Sequence, residues 1–142
     1  MYLNVNDLKK GTRGEVLDTI TRSSAEVIDQ AIEDAQAEVE SRLSARYDIA
    51  KELQKTAESP DRVTMVVKLI RDIALYNCFS FSAPVNMPES RVKAYDNAIK
   101  FLRDAQAEKA NIIGLSRLNT NADGTTSSSY VAFGGNEKRN NY

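Results

Sequence analysis

The sequence predicts an all-α domain, a small bundle of three long helices with short helices before them and an extended arm after them. Apolar residues recur every three or four positions through most of the chain, which is typical of helices with one buried face. Serine and proline start signals precede these stretches. No alternating run in the body is long enough to suggest a sheet, and 142 residues suffice for one core without disulfides or metals.

Short helices are predicted at residues 5–8 and 15–20, where they would cap one end of the bundle. Ser23 followed by Glu26 forms a capping box that opens the first long helix. The expected buried stripe of this helix consists of Ile28, Ile32, Ala35, Val39 and Leu43, and Tyr47 extends it by one turn.

A polar connector over residues 48–59 contains one helical turn and leads to the second long helix. Ser59 before Pro60 predicts a capped start, because proline at the first helical position gives up no hydrogen bond. The second helix has a broad apolar face suited to the centre of a bundle, formed by Val63, Val66, Val67, Ile70, Ile73, Ala74 and Cys78. The third helix starts near Glu89 and is expected to stop near Gly114. Its predicted buried stripe is Val92, Tyr95, Ile99 and Leu102.

Composition excludes several classes of function. The chain has no histidine, so it lacks the commonest metal ligand and every Ser/His or Cys/His nucleophile arrangement. Cys78 is the only cysteine, which permits no intramolecular disulfide and suits the reducing cytosol. Residues 63–81 are interrupted by charges, and the first ten residues lack the apolar core of a signal peptide. We therefore expect neither a secreted nor a membrane protein, and no metal, cofactor or enzymatic activity.

The first long helix presents carboxylates away from its apolar stripe, at Glu26, Asp29, Glu33 and Glu40. Such a face is most often simply solvated, although it can also bind a partner. Carboxylates at this spacing can in principle hold a divalent cation or act as an acid/base pair. A di-iron carboxylate site is excluded because it requires histidines three residues after glutamates.

Charge is divided along the chain. Residues 1–59 carry 12 acids and 8 bases, whereas residues 60–118 carry 6 acids and 9 bases. The bases expected on the surface of the second and third long helices are Lys68, Arg71, Lys93, Lys100 and Arg103. This division favours side-by-side packing of copies, acidic edge to basic edge, in a contact that can close into a ring. Pairing of the same charges within one molecule is the alternative, and the sequence leaves both open.

The composition changes after about Leu118, which predicts a helical body over residues 1–118 and an extended arm over residues 119–142. The arm holds a Thr/Ser/Gly/Asn run that cannot repay its ordering entropy alone. Within it lies an apolar island followed by basic residues. The candidate docking residues are Tyr130, Val131, Phe133, Lys138, Arg139 and Tyr142. An island of this kind suits a docking peptide, and the alternative is a disordered tail.

An ordered set of motifs resembles the small head-tail connector proteins, also called adaptor or head-completion proteins, of Mu-like prophages and related tailed phages. The motifs run from Met1-Tyr2-Leu3 and Asp7-Leu8 through Ala31-Ile32-Glu33-Asp34-Ala35 to Ser44-Ala45-Arg46-Tyr47. They continue with Arg71-Asp72-Ile73-Ala74-Leu75-Tyr76 and Tyr95-Asp96-Asn97-Ala98-Ile99-Lys100-Phe101-Leu102. The connector after Tyr47 is longer than the family's usual turn at this point.

The resemblance implies a structural virion protein made in the host cytoplasm and located in the neck, at the head-tail interface. It implies a dodecameric ring, set by the portal, that lies under the portal and extends the DNA channel toward the tail. The implied partners are the portal protein, neighbouring copies and tail-completion or tail proteins, with DNA passing non-specifically through the bore.

Two other interpretations stay open. A small cytosolic DNA-associated packaging or regulatory protein would bind duplex DNA in a salt-sensitive manner, which a net charge of −1 does not favour. An enzyme that uses the carboxylates between Glu26 and Glu40 would gain thermal stability from a divalent ion.

Overall fold

The computed structural model describes residues 1–22, 24–82, 87–120 and 126–129, and in these ranges it contains six helices and two short strands. The helices are α1 (Val5–Lys9), α2 (Gly14–Thr21), α3 (Ala25–Leu43), α4 (Ile49–Leu53), α5 (Thr64–Ser82) and α6 (Glu89–Gln106). The strands are β1 (Arg117–Thr120) and β2 (Thr126–Ser129). The predicted small bundle of three long helices with short N-terminal helices is confirmed.

Helix α5 lies at the centre of the bundle, in contact with α1, α2, α3 and α6. Its hydrophobic residues are buried on several sides, which explains the broad apolar face seen in the sequence. The predicted stripe of α3 is confirmed, because Ile28, Ile32, Ala35, Val39 and Leu43 are all buried. Cys78 is completely buried within the same core, where burial raises the pKa of its thiol to about 11.

Helix α3 begins one residue later than its sequence signal indicates. Ser24, rather than Ser23, is the N-cap, and its hydroxyl oxygen accepts a hydrogen bond from the backbone N–H of Val27 at 3.4 Å. Ser23 lies outside the described residues. Two adjacent serines offer equivalent caps, so the sequence alone did not distinguish them.

The predicted start of the second long helix at Pro60 is wrong, since α5 begins at Thr64. Ser59 does not cap a helix. Its hydroxyl accepts from the N–H of Thr56 in a local turn. The N–H of Val63 donates to the Glu52 carboxylate at 2.7 Å, and this contact with α4 holds the chain out of the helix until residue 64. A short non-helical segment therefore replaces the predicted first turn.

Two buried carboxylates, those of Asp7 and Glu52, hold the N-terminus against the non-helical segment that precedes α5. The Tyr2 hydroxyl donates to Glu52 at 2.7 Å, and burial together with this bond raises the pKa of Tyr2. Arg62 pairs with Asp7 at 2.9 Å and donates to the backbone carbonyl of Tyr2. Burial alone would raise the pKa of Asp7, but hydrogen bonds from Arg62 and from the Asn4 backbone hold it below its usual range. These contacts fix the entry of the chain against α5.

The third long helix differs from its prediction at both ends. Val92 is 37% exposed, so the buried face of α6 begins later than expected. Tyr95 stacks on Tyr76 of α5 with the ring centroids 4.0 Å apart, and Ile99 and Leu102 are buried as predicted.

The helix ends at Gln106, so Gly114 is not its stop. Glu108 has a left-handed φ of 60° just after the helix, and Gly114 has a φ of +89° in a later turn. On either side of Gly114 the chain packs back onto the core, where Ile112 and Leu115 are buried. The N–H of Ile112 donates to the Tyr47 hydroxyl at 3.3 Å.

The two strands form an antiparallel hairpin, with Arg117 opposite Ser129 and Thr120 opposite Thr126. The start of the hairpin is bonded to the body, because the N–H of Leu118 donates to the carbonyl of Arg46 at 2.9 Å. The hairpin crosses the expected boundary at residue 118, and the division into body and arm stays a prediction. Tyr130 and the rest of the predicted docking residues lie outside the described residues.

Gly11 makes a close approach that alanine would disturb. A Cβ atom at this position would lie 2.7 Å from Cδ1 of Leu75, a completely buried side chain, and 3.2 Å from Cδ of Arg71. Gly11→Ala should therefore lower the free energy of unfolding by about 1–3 kcal/mol, the usual range for overpacking. Urea denaturation measures this change.

Gly14→Ala is the matched control for Gly11→Ala. The nearest atom to its added Cβ is Lys9 Cε at 3.4 Å, and Gly14 is the first residue of α2. Alanine there should leave stability unchanged or raise it by a few tenths of a kcal/mol, because it restricts the unfolded chain. Equal stability of the two variants would contradict the predicted clash.

Candidate protein-binding surfaces

The acidic residues of α3 lie on its exposed side, as the apolar periodicity predicts. Glu26, Asp29, Glu33 and Glu40 are all exposed. Asp34 is also exposed, and its carboxylate accepts a hydrogen bond from the side chain of Gln30 at 2.8 Å. We call this set of five carboxylates the acidic face.

The predicted basic residues occupy less uniform surroundings. Lys93 and Lys68 are exposed and pair within their own helices, with Glu89 at 3.2 Å and Asp72 at 2.9 Å. The remaining residues differ in burial: Lys100 and Arg103 are exposed, whereas Arg71 is half-buried.

Arg71 differs from the other bases because it faces the α1–α2 turn. Its Nε is buried without a hydrogen-bond partner in the part of the chain that the structure describes. Its side chain also approaches Gly11. Arg71 therefore contributes less to an exposed basic edge than the sequence indicates.

In the described residues, the acidic face of α3 forms no ion pair with the predicted bases of α5 and α6. No salt bridge in these ranges joins Glu26, Asp29, Glu33 or Glu40 to the predicted bases of α5 and α6. The only ion pair formed within α3 there is Arg42 with Glu38 at 3.3 Å. Exposed charges of this kind add little to the stability of the folded chain, so both signs are available for contacts with other molecules.

Two apolar grooves accompany these charges, and the sequence did not predict either of them. The first, which we call the Phe81 groove, lies between α3 and α5 and has a volume of about 270 Å³. Phe81 is 75% exposed at its edge. The groove is also lined by Glu26, Val27, Gln30, Ala31, Asp34 and Asn77.

The second groove, the Ile113 groove, has a volume of about 420 Å³ and lies at the beginning of α5. Ile113 is 87% exposed beside it, in the turn that follows α6. It is lined by Thr64, Met65, Lys68, Phe101, Asn111 and Ile113. A signal for both grooves was present in the sequence as bulky apolar residues outside the predicted stripes. Only the fold determines that these residues stay exposed.

The described residues contain no group of three or more acidic or cysteine side chains placed to hold a metal ion. Helices long and apolar enough to cross a membrane are likewise absent from these residues. The notable features of the described surface are therefore its charged side chains and its two apolar grooves.

The fold and these surfaces define a small all-α domain with a charged, grooved exterior. The family model described as Bacteriophage Mu, Gp36 matches residues 2–131, which is most of the chain, and the protein therefore belongs to that family. A comparison with curated proteins finds no match. Membership confirms the Mu-like part of the resemblance and indicates a phage structural or assembly protein. The match continues beyond residue 118 and includes Tyr130 and Val131 of the predicted arm.

Proposed function

We propose that this chain is a head-tail connector of a Mu-like tailed phage. In this role it forms a ring under the portal, in the neck of the virion, and extends the DNA channel toward the tail. The family match over residues 2–131 carries the proposal. The protein would act by packing and docking, with no reaction and no cofactor.

The distribution of charge supports a ring of copies. The first 59 residues carry an excess of acids and residues 60–118 carry an excess of bases, and no salt bridge in the described ranges joins the acidic face to the predicted bases of α5 and α6. A surface with opposite charge on different sides favours heterologous contacts, which close into rings when the rotation between copies allows it. The copy number would be imposed by the portal, giving a dodecamer.

The partners follow from this position. The portal lies on one side of the ring, neighbouring copies lie beside each subunit, and tail-completion or tail proteins lie on the other side. DNA passes through the bore without sequence-specific contacts. The apolar and basic residues between Tyr130 and Tyr142 would dock on one of these partners, since aromatic anchors on an extended segment bind grooves or sheet edges.

Electron microscopy of the purified portal of the same phage, mixed with this chain, tests the proposal. The full chain should add a ring below the portal. A chain ending at Ser129 retains both strands of the hairpin and removes the docking residues, so it should add no ring. A full-length chain with Tyr130→Ser and Phe133→Ser should behave like the truncated chain, which separates loss of the anchors from loss of length.

Each alternative result has a definite meaning. If the chain ending at Ser129 also adds a ring, the body docks and the arm hypothesis is wrong. If the full chain does not bind the portal, the connector proposal is overturned. Salt-sensitive binding of the free protein to duplex DNA would then support the DNA-associated interpretation.

A further inference from the structure

The two apolar grooves lie on different sides and at different ends of α5. Asn77 and Phe81 of α5 line the Phe81 groove, and Thr64 and Lys68 of the same helix line the Ile113 groove. Asn77 follows Thr64 by 13 positions, and Phe81 follows Lys68 by the same number. At roughly 100° and 1.5 Å per residue, that separation is about 140° around the helix and about 20 Å along it. One molecule therefore presents the grooves in different directions.

The charges at the two grooves are opposite. Glu26 and Asp34 line the Phe81 groove, and both are exposed carboxylates. Lys68 lines the Ile113 groove. Lys68 pairs with Asp72 at 2.9 Å, but Asp72 does not line the groove, so the charged side chain in this lining is cationic. Joining two Phe81 grooves would bring like charges together, whereas joining a Phe81 groove to an Ile113 groove would bring opposite charges together.

Both grooves also offer an apolar anchor. Phe81 and Ile113 are far more exposed than is usual for their side chains, and each stands beside a concave apolar surface. Aromatic and aliphatic anchors that enter a pocket on the partner commonly dominate the energy of a protein interface. The two grooves carry opposite charges, lie on different sides of the molecule and each have an exposed apolar anchor. Together these features favour a second copy of the same chain as the occupant.

We propose that the Phe81 groove of one copy binds the Ile113 groove of the next in a head-to-tail contact. This inference rests on the proposed function, because it names the surfaces through which neighbours in the ring would meet. A heterologous contact uses a different surface on each partner, so a joined pair of copies has a free Phe81 groove at one end and a free Ile113 groove at the other. Repetition of the contact then builds a ring or a filament.

Two complementary variants test this contact. The first carries Ile113→Asp and Gln30→Cys, which keeps Phe81 and places a thiol in the lining of the Phe81 groove. The second carries Phe81→Asp and Asn111→Cys, which keeps Ile113 and places a thiol in the lining of the Ile113 groove. Gln30 and Asn111 are exposed and line the respective grooves. Cys78 is buried and would stay reduced.

Under mild oxidation, the mixture of the two variants should give disulfide-linked heterodimers. Their amount should be about tenfold or more above the amount of disulfide-linked dimer in either variant alone, because removal of one anchor weakens the contact by that order. Ser41→Cys replaces Gln30→Cys in the control, since Ser41 is exposed on α3 outside the groove. The control mixture should give only the background of random collisions. Circular dichroism should show that all variants remain folded, because both aspartates replace exposed residues.

Several outcomes would overturn the contact. Homodimers of the first variant alone would indicate that two Phe81 grooves bind each other. A mixture no richer in dimers than the Ser41→Cys control would indicate that another protein or another part of the chain occupies the grooves. A ring below the portal without the heterodimer would leave the connector standing and this contact refuted. A heterodimer without a ring below the portal would support this contact and refute the connector proposal.

Discussion

Glu52→Ala should lower the free energy of unfolding by about 3 kcal/mol, although residue 52 belongs to a helix of only five residues. The Glu52 carboxylate is buried and accepts hydrogen bonds from the Tyr2 hydroxyl and the Val63 N–H, both at 2.7 Å. Alanine leaves the Val63 N–H without its acceptor and leaves the Tyr2 hydroxyl only the Val63 carbonyl at 3.5 Å, and each poorly satisfied buried group costs about 1–3 kcal/mol. Urea denaturation followed by circular dichroism measures the loss.

Two further variants make this result specific. Glu52→Gln keeps a carbonyl oxygen that can accept from Tyr2 and Val63, but it loses the ion pair with Lys55 at 2.7 Å. Its free energy of unfolding should therefore lie between those of the unsubstituted protein and Glu52→Ala. Glu58→Ala removes an exposed carboxylate from the same connector and should change stability by less than about 0.5 kcal/mol. A loss below about 1 kcal/mol for Glu52→Ala would mean that water replaces the missing acceptor.

Ile73→Ala should have an effect of similar size for a different reason. Ile73 is completely buried in the middle of α5, the helix that contacts both α3 and α6. Truncation removes apolar contacts and leaves a cavity that neighbouring helices close only in part, which costs about 2–5 kcal/mol. Thermal or urea unfolding gives the value, and the fold should be retained at low temperature.

Ile113→Ala is the matched control for Ile73→Ala, because it makes the same chemical change at a residue that is 87% exposed. The isolated protein should lose less than about 0.5 kcal/mol. If both variants lose the same amount, then residue 113 is buried in solution, by another copy or by another part of the chain. The pair therefore also reports on the surface proposed above.

Local periodicity explains why the helical body could be predicted. The apolar stripe of α3 repeats every three or four residues. This spacing alone shows which side of the helix is buried and which side carries Glu33 and Glu40. Burial of the α3 stripe and exposure of the acidic face are consequences of the same pattern. The ordered motifs likewise sufficed for the Mu-like family, whereas the ring, the portal and the arm remain proposals.

Helix ends depended on contacts between residues far apart in the chain. Ser59 and Pro60 form a plausible local start, but the bond from Val63 to Glu52 and the pair between Arg62 and Asp7 hold that segment in another conformation. Local start signals contribute about 1 kcal/mol, and buried hydrogen bonds to charged groups outweigh them.

The sequence by itself determined the helical class, the core-facing stripe of α3 and the sign of its exposed charges, because each follows from the spacing of neighbouring residues. Only the tertiary structure decided that Val92 and Phe81 stay exposed, that Arg71 is half-buried, and that residues 117–120 pair as a strand. These features depend on which surfaces meet when the helices pack. That meeting is set by contacts between distant parts of the chain, which spacing along the sequence does not specify.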